Sequence, residues 1–451
     1  MALTAIEIYK YLPKTNCKDC GFPTCLAFAM KLAQKGADLS ACKHVSEESK
    51  VALDAASRPP IRLVSIGKDG RKVEVGNEVA MFRHEKTFYH APGLLLRVKD
   101  SEPLDKVARD IAAVDSYKVE RVGIQLSWNG VAIQSNGGGK DAFLACVKQT
   151  ASHPELALVL MSEDPEVIAA ALSDPKVAER RPLIYAATAA NWQKMAALAK
   201  EKKCPLAVRA DSLEALSDLT EKVAQAGIED IVLDPGTRDF SDSLNALTQV
   251  RRLALKKSFR SLGYPVITFP GEKAKSQEEE VLLATQHIAR YAGVIVLDHF
   301  SPTVAYPLLT ARLNIYTDPQ KPLQMQAGVY PFGKPDQASP LLVTTNFSLT
   351  YFSVSSEIES SGFPTWLMVV DTEGQSVLTS WASGKFDAER IAKASKTFKV
   401  EEKIGHRSLV IPGAVAVLRG DLEGEFPEWK IMVGPREAVG IGPFLKQNWA
   451  K

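Results

Sequence analysis

The sequence predicts an α/β protein in three parts: a small N-terminal cysteine-rich domain, a (β/α)8 TIM barrel and a C-terminal open α/β domain of Rossmann-like type. Four of the six cysteines lie within the first 45 residues. From about residue 92, short apolar segments alternate with helical stretches, the pattern of parallel strands joined by helices. After the loop FGKPDQASP a second, shorter α/β pattern begins.

The composition is that of a soluble, folded protein with more than one core. A chain of 451 residues is too long for one ordinary core. Hydrophobic residues at 45% and charged residues at 24% exclude a disordered or fibrous chain. The net charge is only +2, and acidic and basic residues are interspersed. We therefore expect neither nucleic acid nor a membrane among its partners.

The N-terminus, MALTAIEIYKYLPKT, lacks the features of a signal peptide, because Glu7 and Lys10 interrupt its apolar residues. No stretch of the sequence approaches the ~18 to 20 apolar residues needed to cross a bilayer. We expect a cytoplasmic location, where disulfides rarely form. The isolated Cys146 and Cys204 lie in apolar surroundings and are expected to fill core space.

The remaining cysteines follow the pattern C-x2-C-x4-C-x16-C, with Cys17, Cys20 and Cys25 in one loop and Cys42 after a helix-like stretch. Soft thiolates bind iron–sulfur clusters and zinc, and a C-x2-C loop lets two sulfurs converge on one centre. A zinc ribbon would need a second close pair, which Cys25 and Cys42 do not form. The spacing also differs from the common ferredoxin patterns. It favours a [4Fe–4S] cluster over zinc or over four unrelated cysteines.

The segment NCKDCGFPTCLAFAMKLA, followed by ACKHV, resembles the N-terminal cluster motif of the large (gamma) subunit of the corrinoid iron–sulfur protein. The resemblance extends along the chain, because later segments fall where that family has a barrel and then a corrinoid domain. It implies that Cys17, Cys20, Cys25 and Cys42 are the four ligands of a [4Fe–4S] cluster. All four positions are filled.

The domain limits follow from changes in pattern along the chain. The run Ala56-Ser57-Arg58-Pro59-Pro60 is typical of a stiff linker, so we expect a cluster domain at 1–57 and a linker at 58–92. Within that linker, IRLVSIGKDGRKVEVGNEV alternates like a small hairpin, which we expect to belong to an extended connection. The barrel is expected at 93–325 and the corrinoid-binding domain at 326–451.

Eight apolar segments predict the strands of the barrel. They are LLLRV at 94, VGIQL at 122, LALVLM at 156, LIYAA at 183, LAVRA at 206, DIVLD at 230, PVITF at 265 and VIVLD at 294. An open doubly wound sheet is the alternative. Equal spacing and the number eight favour a closed barrel.

Polar residues follow several of these strands, namely Arg209, Asp211, Asp234, Asp298 and His299. Such positions are often catalytic in a barrel, but they also cap helices and tie loops, and the sequence pairs none of them into a base and a nucleophile. The turn DPGT at Asp234 is also found in pterin-binding barrels. It supports an alternative function, a self-contained pterin-dependent corrinoid methyltransferase. The resemblance implies instead that the barrel is a scaffold and subunit interface without catalytic residues.

The strand-like segments of the C-terminal part end in small or glycine-rich loops. Ligands of open α/β sheets bind at the carboxyl ends of the strands, and loops without bulk let a ligand approach the backbone. Taken alone, these residues also fit ordinary strand-to-helix turns. The resemblance implies a bound corrinoid (cobamide) with its cobalt.

The loop DTEGQS is comparable with the D-x-H-x-x-G signature of many cobalamin-binding domains. Glu373 occupies the histidine position and Ser376 the glycine position, which puts histidine ligation below the cobalt in doubt. The expected corrin contacts come from four loops: Thr345, Asn346, Asp371, Thr372, Glu373, Gly374, Ser376, Thr379, Gly413, Gly434 and Pro435.

The resemblance implies a methyl-group carrier of the reductive acetyl-CoA (Wood–Ljungdahl) pathway rather than a complete enzyme. Co(I) would take a methyl group from methyl-tetrahydrofolate through a separate methyltransferase and donate it to acetyl-CoA synthase, and the cluster would reactivate Co(II). The expected partners are a small corrinoid protein subunit forming a heterodimer, the methyl-tetrahydrofolate corrinoid methyltransferase, acetyl-CoA synthase and a reductive activator. A plain electron-transfer protein without a corrin is a further alternative.

Overall fold

The computed structural model describes residues 5–33, 36–50, 53, 59–318 and 323–449. The chain divides into two compact units. The first unit takes the residues up to 118 together with 127–316, and the second takes 119–126 together with those from 317 onward. The expected domain limit at residue 57, with Ala56 and Arg58 of the linker, lies outside the described residues. In the described ranges no helix is both long and apolar enough to pass through a bilayer.

The N-terminal segment is a small helical body with its own core. It contains helices α1 (Ala5–Tyr11) and α2 (Cys25–Ala33) and a 3-10 turn at Leu39–Ala41. Ile8 and Leu12 pack with Phe28, Ala29 and Val45 in one buried cluster. The residues of the four-cysteine loop therefore lie beside a hydrophobic centre.

Part of the segment 58–92, expected as a linker, packs against the barrel. Strands β1 (Val64–Ile66) and β2 (Val73–Val75) pair antiparallel, and their buried side chains belong to the same core cluster as the barrel strands. A Cβ added at Gly93 would lie 2.6 Å from Val73 Cγ1. The hairpin is thus a packed element and not an extended connection, because alternate valine and isoleucine side chains are buried against the barrel.

Eight parallel strands form the barrel predicted from the sequence. In chain order they are β3 (Gly93–Lys99), β6 (Gly130–Gln134), β7 (Ala157–Met161), β8 (Leu183–Ala187), β9 (Leu206–Arg209), β10 (Ile231–Asp234), β11 (Ile267–Thr268) and β12 (Val294–Leu297). The order of pairing is β10-β9-β8-β7-β6-β3-β12-β11. A parallel bridge between Leu233 and Val266 joins the two ends of this order. The closed barrel is confirmed.

The helices of this unit alternate with the strands. They are α3 (Leu104–Ser116), α4 (Gly139–Gln149), α5 (Pro165–Ala171), α6 (Pro175–Ala178), α7 (Trp192–Lys202), α8 (Leu213–Gln225), α9 (Phe240–Lys257), α10 (Gln277–Ala289) and α11 (Pro302–Tyr316). Single 3-10 turns lie at Thr150–Ser152, Arg260–Leu262 and Pro270–Glu272.

One predicted barrel strand is wrong. VGIQL does not enter the barrel, because Val122 and Gly123 have positive φ angles of 55° and 73° and lie between two short strands, β4 (Lys118–Arg121) and β5 (Ile124–Ser127), that form a separate sheet. Their residues are largely exposed, whereas β6 is buried over four of its five residues. Parallel barrel strands are buried on both faces, so β6 takes the second place in the barrel.

The second unit is an open five-stranded sheet in the order β13-β15-β14-β16-β17. The strands are β13 (Gly328–Phe332), β14 (Leu341–Thr345), β15 (Thr365–Val370), β16 (Ser408–Ile411) and β17 (Lys430–Val433). All pair parallel except β13, the edge strand, which pairs antiparallel with β15. The predicted Rossmann-like sheet is confirmed, with β13 as an additional strand.

Helices cover both faces of this sheet. They are α12 (Ser348–Ser361), α13 (Val377–Ala382), α14 (Ala388–Thr397), α15 (Arg419–Glu425) and α16 (Ile441–Trp449), with 3-10 turns at Val400–Glu402, Gly413–Leu418 and Ala438–Gly440. One core cluster contains Ile391 and Leu422, and the other contains Ile358 and Leu445. After β14 the chain forms β15 on one side of β14 and later forms β16 on the other side of β14. A topological switch point therefore lies between β14 and β16.

Candidate functional site

The four cysteines of the predicted cluster are free thiols in the N-terminal body. Cys25 and Cys42 are buried, and Cys20 packs partly buried against the same hydrophobic cluster. Cys17 is exposed. Positive φ angles at Asn16 (50°), Lys18 (68°) and Gly21 (82°) coil the loop tightly, a conformation that glycine and asparagine adopt most easily. The loop thus brings Cys17 and Cys20 close to the first turn of α2.

Side-chain hydrogen bonds hold the two ends of this segment together. Asn16 Oδ1 accepts a hydrogen bond from the Cys25 backbone N–H at 2.8 Å, which fixes the loop on α2. His44 Nε2 and Asp19 Oδ2 are 2.6 Å apart, and the pKa of Asp19 is lowered, chiefly by this hydrogen bond. The ligand atoms of Cys17, Asp19 and His44 lie within 4.8 Å of one another. The thiol of Cys17 therefore lies next to the segment that carries Cys42.

This donor set fits an iron–sulfur cluster. Four thiols come from one short segment, three of them beside an apolar core that lowers access of water, and thiolates are the ligands that iron–sulfur clusters require. The other two cysteines differ in environment. Cys146 and Cys204 are 2% and 4% exposed, and burial raises the pKa of both thiols, that of Cys204 to about 11. They fill core space, as expected.

The C-terminal unit carries a pocket at the carboxyl ends of its strands. The cavity has a volume of about 290 Å³, at the small end of the ~300 to 1,000 Å³ range of small-molecule sites. It is lined by Leu342, Val343, Thr344, Leu349, Thr350, Ser353, Val354, Val377, Val410, Ile411, Pro412, Ala414, Gly434, Pro435, Arg436, Ala438 and Ile441. Because β14 and β16 both contribute, the pocket lies at the switch point, where open α/β sheets bind ligands.

The pocket wall contains a polar atom that the protein does not satisfy. Thr344 is 1% exposed, and its hydroxyl has no hydrogen-bond partner within the part of the chain that the structure describes. Buried hydroxyls are nearly always paired. Around the pocket, Leu349 and Val439 are apolar and strongly exposed, at 67% and 70%. A large ligand, of which one part enters the cavity and the rest covers the rim, fits both observations. A corrinoid with its nucleotide tail has this form.

The structure separates the expected corrin contacts into groups. Gly434 and Pro435 line the pocket. Gly413 packs beneath them, since an added Cβ would lie 2.4 Å from Gly434 O, so its small size serves the approach of two loops. Ser376 and Thr379 hydrogen-bond to each other at 3.0 Å. Thr345 is fully buried, and its hydroxyl is unpaired among the described residues.

Asn346 organises the loop that follows β15. The residue is 3% exposed, and its Oδ1 accepts hydrogen bonds from Thr372 N, Thr372 Oγ1 and Gly374 N, at 2.9 to 3.0 Å. Its Nδ2 donates to Asp371 Oδ1 at 3.0 Å and to Gln324 Oε1 at 3.2 Å. Every hydrogen-bonding group of this amide is used, and the hydroxyl of Thr372 is taken up inside the loop.

Glu373 lies in the same loop, and its side chain points into solvent. Glu373 has a φ of 56°, an unusual value for a residue with a side chain, and Gly374 follows at 73°. The Glu373 carboxylate is exposed and pairs with Lys385 Nζ at 2.6 Å. The position expected to carry histidine in many cobalamin-binding domains therefore holds an ion-paired carboxylate.

Replacing Asn346 with Ala should lower the free energy of unfolding of the C-terminal unit by about 2 to 4 kcal/mol, because several buried partners lose their hydrogen bonds together. Asn346→Asp keeps an acceptor for the loop but places a second carboxylate beside Asp371, so we expect an intermediate loss. Amide hydrogen exchange of the 371–376 segment measures both effects. Exchange at the wild-type rate in Asn346→Ala would contradict the assigned role.

Sequence reasoning did not find several residues of this pocket, among them Thr344 and Arg436. The expectation was drawn from loops, whereas Thr344 lies inside β14 and Leu349, Thr350, Ser353 and Val354 lie on α12. A signal was present in the segment SLTYFSVSS, where four serines and one threonine are spread along the first turns of the helix. Such residues leave space between a helix and the sheet edge.

The carboxyl end of the barrel is filled by a buried network of ion pairs. Arg97 holds Asp298 through two hydrogen bonds of 2.5 and 2.6 Å, and donates to Glu272 at 2.7 Å. Arg238 holds both carboxylate oxygens of Asp234 at 2.9 Å and also donates to Glu272. The two arginines are 7% and 8% exposed, and Asp234 is fully buried.

The network supplies a cation to each of Asp234 and Asp298, the two carboxylates predicted at strand ends. Burial disfavours the charge of Arg238, but its hydrogen bond and ion pair with Asp234 raise the pKa of the guanidinium. Tyr185 Oη donates to Asp234 at 2.6 Å, and Phe269 lies against both guanidinium groups, at 5.7 and 4.9 Å. Both carboxylate oxygens of Asp234 therefore already have hydrogen-bond partners within the protein.

Two more of the predicted strand-end residues, His299 and Arg209, are also paired. His299 Nδ1 lies 2.7 Å from Glu280 Oε2, and burial raises the pKa of that glutamate. Arg209 forms a longer contact of 3.3 Å with Glu163 and lines an open polar groove together with Asp211. These contacts tie neighbouring loops of the barrel.

Two family models match the chain. That of the CO dehydrogenase/acetyl-CoA synthase delta subunit matches residues 63–445, and that of an Fe–S cluster family matches residues 12–44. The second match includes all four cysteines of the cluster pattern.

Curated relatives match over nearly their whole length. The chain is 45% identical over 450 residues to the corrinoid/iron-sulfur protein large subunit of Moorella thermoacetica, with 100% of both chains covered. It is 36% identical over 458 residues to the acetyl-CoA decarbonylase/synthase complex subunit gamma of Methanopyrus kandleri, covering 99% of this chain and 98% of that one. Among solved structures, a dihydropteroate synthase of Xanthomonas albilineans matches with a TM-score of 0.40 and 13% identity, over 57% of this chain and 99% of that chain. On the evidence of the family model and the full-length relatives, the chain belongs to the family of corrinoid/iron–sulfur protein large (gamma) subunits.

Proposed function

We propose that this protein is a methyl-group carrier of the reductive acetyl-CoA pathway, with a [4Fe–4S] cluster in its N-terminal body and a corrinoid on its C-terminal unit. The pocket at the switch point of the C-terminal sheet is the observation that carries the proposal. It has an apolar lining, an unsatisfied buried hydroxyl and exposed apolar side chains at its rim. The 45% sequence identity to a corrinoid/iron-sulfur protein large subunit, over the full length of the chain, supports the same ligand.

The chain supplies positions and environment, and the cofactors supply the reactive atoms. Cys17, Cys20, Cys25 and Cys42 hold the cluster as thiolates. The corrinoid supplies a cobalt that carries the methyl group. The apolar pocket wall excludes water from the ligand, and the Asn346 network keeps the loop 371–376 in one conformation before the ligand binds. Such preorganisation reduces the entropy lost on binding.

The loop 371–376 determines which side chains a corrinoid bound beside it would meet. No histidine lies in the segment 371–376, and Lys385 neutralises Glu373. Axial ligands tune the redox potential of a bound metal. We propose that this loop provides no strong donor and so favours a reduced, nucleophilic cobalt, and that the cluster on the same chain supplies electrons for reactivation without taking part in methyl transfer.

The proposed partners are those that a carrier requires. A small corrinoid protein subunit would form a heterodimer and cover the exposed rim of the pocket, where Leu349, Leu378 and Val439 are more than half exposed. Exposed apolar patches of this kind mark interaction surfaces. The other proposed partners are a methyl-tetrahydrofolate corrinoid methyltransferase, acetyl-CoA synthase and a reductive activator.

Metal analysis and the visible spectrum of anaerobically purified protein test the function. We expect about four iron atoms per chain, as a cubane cluster requires, together with cobalt and the absorption bands of a corrin. Iron without cobalt or corrin bands would instead indicate an electron-transfer protein.

The alternative function is a self-contained pterin-dependent corrinoid methyltransferase, which would bind the methylated pterin in the barrel. Asp234, in the DPGT turn, has its acceptors occupied by Arg238 and Tyr185. We therefore expect no binding of methyl-tetrahydrofolate by the purified chain in calorimetry unless a methyltransferase is added. Tight binding by the chain alone would favour the alternative.

A further inference from the structure

A pair of polar side chains lies at the exposed corner of the four-cysteine site. Asp19 stands between Cys17 and Cys20, and His44 follows Cys42 by two residues. Asp19 Oδ2 and His44 Nε2 are 2.6 Å apart. An ionised carboxylate can only accept a hydrogen bond, so the imidazole Nε2–H donates it. The pair therefore joins two stretches of chain that each supply proposed cluster ligands.

This pair is the polar link between the two stretches. Within the described ranges, no other side-chain hydrogen bond or ion pair connects residues 16–21 with residues 42–45. Asn16 Oδ1 instead accepts a hydrogen bond from the Cys25 backbone N–H, which fixes the loop on α2 but not on the segment that carries Cys42. Apolar contacts hold Cys25 and Cys42 from the buried side. On the exposed side, the two stretches are held together by Asp19 and His44.

The position of the pair relates it to the cluster rather than to the fold. Cys17 Sγ, a carboxylate oxygen of Asp19 and a ring nitrogen of His44 lie within 4.8 Å of one another. Net charge, hydrogen bonds and solvent exposure around an iron–sulfur cluster set its reduction potential. The two side chains of the pair are 49% and 48% exposed, and such exposed pairs add little to folding stability. We therefore expect their effect on the cluster.

We propose that Asp19 and His44 form a clasp that positions Cys17 and Cys42 for the iron–sulfur cluster and sets the reduction potential of that cluster. The inference rests on the proposed function, which assigns the cluster to these cysteines. Because the clasp holds the exposed corner closed, it slows the release of iron. It also keeps a negative charge within 4.8 Å of a ligand sulfur, where that charge opposes the addition of an electron. The N–H of His44 partly offsets this charge.

Four variants of the full chain, purified anaerobically, separate the hydrogen bond from the charge. Asp19→Ala and His44→Ala break the clasp. Asp19→Asn keeps an acceptor for His44 but removes the charge, and His44→Gln keeps an N–H donor for Asp19. Glu47→Gln is the matched control, because it removes the exposed ion pair between Glu47 and Lys50 in the same N-terminal body. Electron paramagnetic resonance at poised potentials gives the midpoint potential, and a ferrous chelator gives the rate of iron release.

We expect both alanine variants to release iron about tenfold faster than the wild type, the lower end of the range by which loss of such partners weakens metal binding. The double alanine variant should release iron no faster than either single one, because the two residues act through one bond. Asp19→Asn should keep slow release and raise the midpoint potential, whereas His44→Ala, which leaves the carboxylate without its donor, should lower it. His44→Gln and Glu47→Gln should match the wild type in both measurements.

Wild-type iron release and potential in both alanine variants, or an unchanged potential in Asp19→Asn, would overturn the clasp and leave the proposed function standing. If His44→Ala held no cluster, a full cluster in His44→Gln would support the clasp, and an empty His44→Gln protein would overturn it. If the wild type itself held no cubane cluster, the proposed function would fail.

Discussion

Replacing Cys20 with Ser should remove the iron–sulfur cluster, with iron and acid-labile sulfide falling to near zero. A serine oxygen is a poor substitute for the thiolate that holds iron in these clusters. Corrinoid content should stay near that of the wild type, because no residue of the C-terminal pocket belongs to the N-terminal body. Metal analysis and electron paramagnetic resonance of anaerobically purified protein measure both quantities.

The matched control for this experiment is Cys204→Ser. Cys204 is buried in the barrel unit, and its thiol already donates to Lys202 O at 3.5 Å, so a serine hydroxyl would find the same acceptor. Iron content should not change in this variant. Wild-type iron and sulfide in Cys20→Ser would exclude Cys20 as a ligand. The Cys20→Ser variant, with its cobalt reduced chemically, should still accept methyl groups, because the cluster is proposed to act only in reactivation.

The second large effect is expected in the barrel, where Arg238→Met should lower the stability of the strand ends by about 3 to 5 kcal/mol. Methionine leaves Asp234, a fully buried carboxylate, without a cation. Hydrogen exchange of the peptides that contain β10 and β3 reports the local free energy of opening. Corrinoid binding by the C-terminal pocket should be unaffected, since none of its residues lies in this network.

Two further variants distinguish the cost of an unpaired buried charge from that of a general loss of packing. In the double variant Arg238→Met with Asp234→Leu, much of the stability should return, because no unpaired charge remains. Arg209→Met removes an ion pair with Glu163 in which the side chains are 37% and 64% exposed, and such pairs contribute about 0 to 1 kcal/mol. A small effect of Arg238→Met, similar to that of Arg209→Met, would contradict the account.

Regular patterns in the sequence predicted most of the fold. Buried parallel strands are continuous apolar runs, and seven of the eight chosen segments are strands of the barrel. VGIQL failed because its composition resembles such a run, and a sequence pattern does not reveal the positive φ angles of Val122 and Gly123 that turn the chain there. The hairpin of β1 and β2 was recognised by its alternation, but its burial against the barrel depends on contacts distant in sequence.

The sites were predictable to different degrees. The four predicted cluster ligands lie within one short segment, so their proposed role follows from local spacing. The pocket instead collects side chains from β14, α12, β16 and the loop after β17, and no local pattern joins these elements. Asn346 was selected for its place after a strand. Its role as the centre of a hydrogen-bond network appears only when the loop after β15 lies beside it.

The excursion of residues 119–126 out of the barrel unit has a consequence for biosynthesis. Val122 packs with Met325, Phe332 and Leu342, which leave the ribosome about 200 residues later. Domains usually fold one after another as the chain emerges. Here residues 119–126 belong to the second unit but are made before the rest of it, so they wait for their partners while the barrel is synthesised. A nascent chain of this protein would expose that apolar tip throughout barrel synthesis, a natural binding site for chaperones. The two units are also tied together in evolution, because neither can be exchanged as a continuous block without taking residues of the other.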